Sequence, residues 1–454
     1  MTTTFWDEAL INKYNVKGPR YTSYPTALLL QSGFAADKAL QALQDSGPHL
    51  SLYVHLPFCR QLCYYCGCNR VISRDQSKAD RYLAALQHEM ALYQASCRQK
   101  TVQQLHFGGG TPTFLDATQL RQLLDMLRQH FHFAADAELS IEIDPRSCDY
   151  DKLALLRELG FSRVSFGVQD FDPAVQQAIN RVQPYQMVEV LVKSARDLDF
   201  RSVNLDLVYG LPLQNSAGFA DTLRQVVRLD PDRISLFSYA HLPERFAAQR
   251  KIADASLPDA RAKLGLLAQA VNALEQAGFV AIGMDHFAKP ADPLCQAQQQ
   301  QQLTRNFQGY SVDPCDGLLG LGVSAISQVG AYIWQQHKEL QPYYQQLEQA
   351  APQLAIDKGL TLSLDDRIRA DLISRIMCNF QLDTAAFAKQ WQLDFADYFA
   401  NSLAQLQPCL LDELVRWDGD VLQVTARGKP WVRVVAAAFD AYLLDQQQRY
   451  SKVV

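Results

Sequence analysis

Between about residue 50 and residue 240 the sequence alternates β-rich runs with amphipathic helical stretches, and this alternation limits the fold more than any other feature. The strand candidates are 50–56, 104–107, 139–143, 163–168, 202–208 and 233–239. Helical patterns lie near 77–96, 117–130, 151–159, 185–199 and 217–229. Repeats of strand and helix at this spacing predict parallel βαβ units. Six units with no evident seventh or eighth predict an incomplete, TIM-like α/β barrel. An open doubly wound sheet satisfies the same pattern.

In barrels the reactive groups gather at the C-terminal ends of the strands. Every one of the six strand ends carries polar or conformationally special residues. Cys59 follows the first, and Gly108-Gly109-Gly110-Thr111-Pro112 follows the second. Glu142 and Asp144 end the third, Gln169 the fourth, Asp206 to Gly210 the fifth, and Tyr239-Ala240-His241 the sixth. Six such ends in succession point to one shared site.

The most specific group is Cys59-Arg-Gln-Leu-Cys63-Tyr-Tyr-Cys66-Gly-Cys68. Three thiolates at the spacing of Cys59, Cys63 and Cys66 can hold three irons of a [4Fe–4S] cluster. The fourth iron is then left without a protein ligand, open for chemistry. Cys68 is placed either to reach a substrate or to lie inert in the loop. The chain has ten cysteines. The expected compartment is the cytosol, where disulfides are rare and clustered cysteines read as metal ligands. Cys97, Cys148, Cys295, Cys315, Cys378 and Cys409 read as ordinary core or surface thiols.

Composition narrows the partners. A formal net charge of -5 over 454 residues gives no electrostatic case for nucleic-acid binding. No apolar run approaches the ~18 residues of a membrane span. The first residues, Met1-Thr-Thr-Thr-Phe-Trp-Asp-Glu, lack the basic and apolar regions of a signal peptide. A monomer is expected.

Outside the barrel the sequence divides into three further parts. Residues 1–48 read as an N-terminal arm, because Gly18-Pro19-Arg20-Tyr21-Thr22-Ser23-Tyr24-Pro25 cannot form a regular helix. The barrel is expected over 49–290, followed at 291–358 by a linker that also completes the barrel and contains five consecutive glutamines, 298–302. Residues 359–454 read as mainly helical. Ile368, Leu372, Ile376 and Phe380 keep helical spacing, as do Phe395, Phe399, Leu403 and Leu406. A hairpin turning at Asp418-Gly419 and a last helix near Pro430 complete a winged-helix-like pattern. It has no basic recognition helix, so docking or a lid is expected of it rather than DNA binding.

The Cys-x3-Cys-x-aromatic-Cys pattern of Cys59, Cys63, Tyr65 and Cys66, with a Gly-rich turn after the next strand, resembles the radical S-adenosylmethionine (SAM) superfamily. The resemblance implies that the amino and carboxylate groups of SAM chelate the fourth iron. One electron then cleaves the sulfonium to methionine and a 5′-deoxyadenosyl radical. Further stretches are similar to the oxygen-independent coproporphyrinogen III oxidase family. They are 18–26, 52–59, 63–69, 106–113, 283–288, 306–310 and 319–327. That family converts two propionates of coproporphyrinogen III to vinyl groups, giving protoporphyrinogen IX without O2.

The family's roles carry over where residues match. Tyr53, Gly109, Glu142 and Ile326 would contact the cluster-bound SAM. Tyr65, Gly110, Thr111, Gln169, Arg181, Asp206 and Ala240 would contact a second SAM. Tyr53, Cys68 and Glu142 are the residues expected to serve the chemistry. Tyr65 replaces the family's usual phenylalanine and keeps the stacking face. Arg20, Tyr21, Tyr24, Arg305 and Asn306 are candidates for holding the propionates. A low-potential donor such as flavodoxin or ferredoxin would reduce the cluster. The alternatives are a radical-SAM-like haem chaperone and a haem-modifying enzyme. The chaperones typically lack both the cysteine at the Cys68 position and the 18–25 arm.

Overall fold

The structure is a computed structural model, and it describes residues 8–14, 16–307, 309–312 and 315–443. The chain divides into two compact units. A barrel unit takes 30–270 and 315–361, and a helical unit draws on 1–29, 271–314 and 362–454.

Six parallel strands form the centre of the barrel unit: β1 (His49–Leu56), β2 (Thr101–Gly109), β3 (His132–Ile143), β4 (Arg163–Gln169), β5 (Ser202–Tyr209) and β6 (Arg233–Ser238). They pair in sequence order, β1 with β2 through to β5 with β6. A doubly wound sheet would reverse its order at a switch point. These six strands never do, so they form a singly wound, partial barrel. Between the strands lie α1 (Ser77–Gln94), α2 (Ala117–His130), α3 (Tyr150–Glu158), α4 (Tyr185–Asp197) and α5 (Ser216–Arg228).

Local chemistry sets these elements. Helix α2 opens on a capping box in which the Asp116 carboxylate accepts from the Gln119 N–H and the Gln119 side chain accepts from the Asp116 N–H. It buries Leu120, Leu123, Leu124 and Leu127, the one-face spacing of a helix laid on a sheet. On β1, Leu50, Leu52, Val54 and Leu56 are buried in the core, so Ser51, Tyr53 and His55 face the other way, into the lumen.

The sheet extends beyond the six predicted strands. β7 (Gly317–Leu321) pairs in parallel with the outer edge of β1. β8 (Ile326–Val329), β9 (Tyr332–Gln336) and β10 (Ile356–Thr361) then add on as an antiparallel meander, and Gln31–Ser32 pairs with β10. β7 is buried at every position, so its sequence shows no alternation. A Cβ at Gly320 would meet the carbonyl oxygen of Ile326 at 2.6 Å, so β8 packs where only glycine fits. By compactness, residues 30–48 and 315–361 fall in the barrel unit, and 271–314 in the helical unit.

In the helical unit, α6 (Leu364–Asn379) begins with a Ser363–Asp366 capping box and buries Ile368, Leu372, Ile373, Ile376 and Met377. Phe380 takes a left-handed conformation and ends the helix instead of continuing its stripe. Helices Thr384–Trp391, Phe395–Tyr398 and Ala400–Leu411 follow, so the expected second stripe is broken at Phe399. The strands Gln381–Asp383, Val421–Val424 and Val415–Asp418 form a small sheet in that order, the wing of a winged-helix arrangement. Asp418 pairs with Val421, so the turn is Gly419-Asp420, one residue later than expected. Gly419 supplies the positive φ at the first central position.

The arm is part of this unit. Leu10, Tyr14, Tyr21 and Tyr24 join the core formed by α6 and Trp431, Val432 and Phe439. The buried Arg433 guanidinium donates to the carbonyls of Gly18 at 2.7 Å and Pro19 at 2.9 Å. The 291–314 stretch holds a helix, Pro293–Gln299, and a hairpin of Thr304–Asn306 with Gly309–Ser311.

Candidate active site

The lumen face of the six strands is polar. It presents Ser51, Tyr53 and His55 from β1, His106 from β2, Ser140 and Glu142 from β3, Ser165 and Gln169 from β4, Asn204 and Asp206 from β5 and Ser235 from β6. The lumen of an ordinary (β/α)8 barrel is packed with Val, Ile and Leu. Here the same positions form hydrogen bonds across strands. His106 Nδ1 lies 2.8 Å from Ser140 Oγ, Ser165 Oγ donates to Asp206 Oδ2 at 2.9 Å, and Asn204 Nδ2 donates to Ser165 Oγ at 2.8 Å. Polar groups satisfied in this way are positioned without filling the space between the strands.

The residues expected at the cluster-bound SAM form one connected group. Tyr53 stacks on His106 with centroids 5.9 Å apart and planes at 16°. Glu142 Oε1 lies 3.4 Å from His106 Nε2, and Glu142 Oε2 accepts the Gly109 N–H at 3.2 Å. Burial pushes the Glu142 carboxyl up, but the bonds from His106 and Gly109 outweigh it and hold it below the usual value. Glu142 is therefore a carboxylate with 45% of its side-chain surface still accessible. Gly109 has φ +116°, and a Cβ there would meet the His55 ring at 2.7 Å. His55 Nε2 lies 2.9 Å from the Asn69 carbonyl, which can only accept. Nε2 therefore carries the proton, and Tyr53 donates its hydroxyl to His55 Nδ1 at 3.0 Å. Burial lowers the His55 pKa, in keeping with a neutral ring. The carbonyl of Ile326 packs beside Gly320, whose register partner on β1 is Tyr53.

The cysteine loop leaves the end of β1 and closes on itself. Phe58 pairs with Val71 and Cys59 with Ile72. Cys59, Cys63, Cys66 and Cys68 are all free thiols, with Cys63 buried, Cys59 and Cys66 half-buried and Cys68 exposed. The Thr111 hydroxyl donates to Cys59 Sγ at 3.4 Å, and the Cys68 N–H donates to Cys66 Sγ at 3.4 Å. Hydrogen bonding from Cys68 brings the Cys66 thiol down to about 6, whereas burial pushes Cys59 up to about 11. Arg146 and Arg181 both approach Cys63 Sγ, at 3.4 and 3.5 Å. Among the described residues no three His, Cys, Asp or Glu side chains converge on a single metal ion. A cube of four irons asks for something else: separate thiols on one loop, each facing its own iron, with donors turned to the sulfurs. The loop fits that requirement.

Six of the seven residues expected at a second SAM occur in pairs, and Asp206 stands apart on β5. Gly110 and Thr111 lie against the cysteine loop, their N–H groups donating to the carbonyls of Leu56 and Phe58 at 2.9 Å each. A Cβ on Gly110 would meet the Pro57 carbonyl oxygen at 2.5 Å. Arg181 Nη2 donates to the Gly167 carbonyl at 2.6 Å, and Gln169 Nε2 packs over the same glycine. Gln169 itself has φ +67°. Tyr65 and Ala240 are joined by Gln249, whose Nε2 donates to both carbonyls, at 2.9 and 3.1 Å. Burial pushes the Asp206 carboxyl up to about 6, reinforced by the Glu142 charge.

Sequence reasoning passed over His55, His106, Arg146 and Gln249 as site residues. The two histidines were legible by parity: His55 follows Tyr53 by two residues on β1, and His106 is its register partner on β2. Arg146 and Gln249 lie in short 3₁₀ turns, Pro145–Ser147 and Ala247–Lys251, too brief for periodicity to mark them. The propionate candidates fall in the helical unit. Tyr21 and Tyr24 are corrected: both are buried, Tyr21 donating to Asp440 at 3.0 Å and Tyr24 accepting the Ala441 N–H at 3.0 Å. They anchor the arm instead of offering free hydroxyls. Arg20 Nη1 lies 3.6 Å from Asp285, Arg305 lies over the Tyr310 ring at 5.0 Å, and Asn306 pairs with Gly309 in the hairpin.

A singly wound partial barrel with a three-thiol loop at the end of its first strand defines a class. Residues 53–226 match the radical SAM superfamily, and residues 362–431 match the HemN C-terminal domain. The chain is 50% identical to the oxygen-independent coproporphyrinogen III oxidase of Salmonella typhimurium, over 99% of this chain and 98% of that protein. It is 46% identical to the enzyme of that name from Pseudomonas aeruginosa, over the whole of both chains. The solved structure of coproporphyrinogen III oxidase (HemN) from Escherichia coli, described as a radical SAM enzyme, superposes with a TM-score of 0.92 at 48% identity. That match covers 96% of this chain and 99% of that one. The chain belongs to the oxygen-independent coproporphyrinogen III oxidase family of radical SAM enzymes.

Proposed function

We propose that this protein converts two propionates of coproporphyrinogen III to vinyl groups without O2, giving protoporphyrinogen IX in haem biosynthesis. The observation that carries the reading is the Cys59–Cys66 loop at the end of β1, tied through the Asn69 carbonyl to His55 of the polar lumen face that carries Tyr53, His106 and Glu142. Cys59, Cys63 and Cys66 would hold a [4Fe–4S] cluster, which with SAM supplies the one-electron cleavage that starts hydrogen abstraction. Each propionate would then lose a hydrogen atom to the SAM-derived radical and an electron to a one-electron acceptor as CO2 leaves, with one SAM consumed per propionate.

The chain's own residues bind and orient. Glu142, held as a carboxylate, suits an ammonium or ribose hydroxyls, and Gly109 and Gly110 let ligand atoms approach the backbone. Tyr53, with its hydroxyl committed to His55, offers a ring face and no mobile proton. Tyr65, Thr111, Gln169, Arg181, Asp206 and Ala240 would surround a second SAM, with Ile326 beside the first. Cys68, exposed and two residues after Cys66, would meet substrate. Arg20 and Arg305 are the cations proposed for the propionates. A flavodoxin or ferredoxin would supply electrons to a cytoplasmic monomer. No helix among the described residues is long and apolar enough to cross a membrane.

The test is anaerobic turnover of coproporphyrinogen III with SAM and a low-potential reductant, followed by mass. Vinyl products with matching deoxyadenosine support the reading. SAM cleavage on haem, with coproporphyrinogen untouched, would favour a haem-modifying enzyme. Haem binding without SAM cleavage would favour a haem chaperone. Cys68→Ser separates roles within the loop: full cluster with most product lost assigns it to the chemistry, and native rates make it an inert thiol.

A further inference from the structure

We infer that Arg146, paired with Asp144 and Arg181, sets the reduction potential of the cluster through the Cys63 sulfur. Arg146 comes from the turn after β3, far from the cysteine loop in sequence. Its Nη2 is 3.4 Å from Cys63 Sγ and 2.6 Å from Asp144 Oδ2, its Nε is 3.0 Å from Asp144 Oδ1, and its Nη1 donates to Gln61 in the loop at 2.8 Å. Arg181 reaches the same sulfur at 3.5 Å and the same carboxylate oxygen at 3.1 Å. The side chains of Arg146, Arg181 and Asp144 are 13%, 7% and 13% exposed, so water screens them little.

Charge counting gives the direction. A Cys63 thiolate and Asp144 bring two negative charges, and the two guanidiniums bring two positive ones. The four groups balance with the sulfur as one member. Reduction adds an electron to the cluster, so nearby cations and N–H donors on sulfur favour the reduced state, and nearby anions oppose it. Arg146 and Asp144 therefore pull the potential in opposite directions. The contacts at the other two sulfurs are a hydroxyl on Cys59 and a backbone N–H on Cys66, both uncharged. Cys63 is thus the sulfur that guanidiniums touch directly. The arrangement also explains why two arginines share one carboxylate: Asp144 holds both forks in place and limits their effect.

The inference rests on the cluster assigned under the proposed function but is tested without turnover. Full-length Arg146→Gln, Arg146→Lys and Asp144→Asn proteins are reconstituted anaerobically. Iron and sulfide are counted, and the midpoint potential is read by EPR-monitored redox titration. With full cluster content, Arg146→Gln shifts the midpoint negative, Arg146→Lys returns part of the way, and Asp144→Asn shifts it positive. Midpoints unchanged, or moved in the same direction by Arg146→Gln and Asp144→Asn, overturn the inference. If Arg146→Gln assembles no cluster, Asp144→Asn decides. Loss of cluster from both makes the trio a clamp on the loop and nothing more, which also overturns it. Failure here leaves turnover of coproporphyrinogen untouched as a separate result.

Discussion

The amide of Gln249 donates to the backbone carbonyl of Tyr65 at 2.9 Å, tying the cysteine loop to the loop that follows β6. Gln249 is 1% exposed, and its side chain also donates to the Ala240 carbonyl and accepts the Leu242 N–H at 2.6 Å. One side chain thus holds the Tyr65 backbone against that of Ala240. Gln249→Ala leaves two carbonyls and an N–H without their partner, at a cost of ~1–3 kcal/mol for each group that water cannot reach. The expected result is intact cluster content, a lowered unfolding midpoint in urea, and weaker binding of SAM at any second site. Wild-type stability together with unchanged SAM titration would show that the loop is held by other means.

Glu142 offers a sharper test, because its partners fix what a replacement would meet. In Glu142→Gln the charge is lost, and the new amide keeps the Gly109 N–H bond only by turning its N–H₂ towards His106. Charge-assisted hydrogen bonds contribute about 1.5–3 kcal/mol, so Glu142→Gln should weaken SAM binding by roughly 10- to 150-fold. The measurement is the change in the reduced cluster's EPR signal on titrating SAM. An unshifted binding curve would remove Glu142 from the SAM site. Replacing Cys59, Cys63 or Cys66 with Ala should abolish that signal altogether, by loss of the cluster.

Much of this arrangement was legible in the sequence because it follows local rules. The β-rich runs and helical stripes from 50 to 240 fall on β1–β6 and α1–α5 because each buries one face against its neighbour. The β7 strand was not legible: Gly317-Leu-Leu-Gly-Leu is covered on both faces and carries no period. Phe380 kept the helical stripe yet ends α6, since its side chain packs the same core from a left-handed residue. Tyr21 and Tyr24 looked like free contacts in an extended arm. Their partners, Asp440 and Ala441, lie more than four hundred residues away, beyond the reach of any local pattern.

That distant anchoring changes what a test of the arm can use. Deleting residues 1–25 would strip Leu10, Tyr14, Tyr21 and Tyr24 from the helical unit's core, so lost activity would report unfolding. Point changes separate the two effects. Tyr24→Phe orphans the Ala441 N–H and should cost ~1–3 kcal/mol of stability. Arg20→Gln breaks a partly exposed pair with Asp285, so stability should change by no more than about 1 kcal/mol. If Arg20 holds a propionate, the KM for coproporphyrinogen III should rise in Arg20→Gln while SAM binding stays native. An unchanged KM returns Arg20 to a purely structural pair.

The last prediction concerns pH and Glu89, which is fully buried on α1. Its Oε2 accepts the Gly322 N–H at 2.8 Å and the Tyr343 hydroxyl at 2.6 Å, while Oε1 has no partner. Burial pushes the carboxyl up to about 7, against the opposing pull of those two bonds. A folded-state pKa above the unfolded one means that the native protein holds the proton more tightly. Between about pH 4.5 and 7 the native state therefore binds more protons, and stability falls as pH rises through that window. Below it both states are protonated and nothing is lost. Above it the cost of a buried carboxylate is complete, on the order of 3 kcal/mol. Glu89→Gln has no such titration. The stability difference between Glu89→Gln and wild type, from urea unfolding at a series of pH values, should rise from about pH 5 to about pH 8 in favour of the variant. A difference independent of pH would mean that Glu89 is ionised throughout, with a partner for Oε1 in solution.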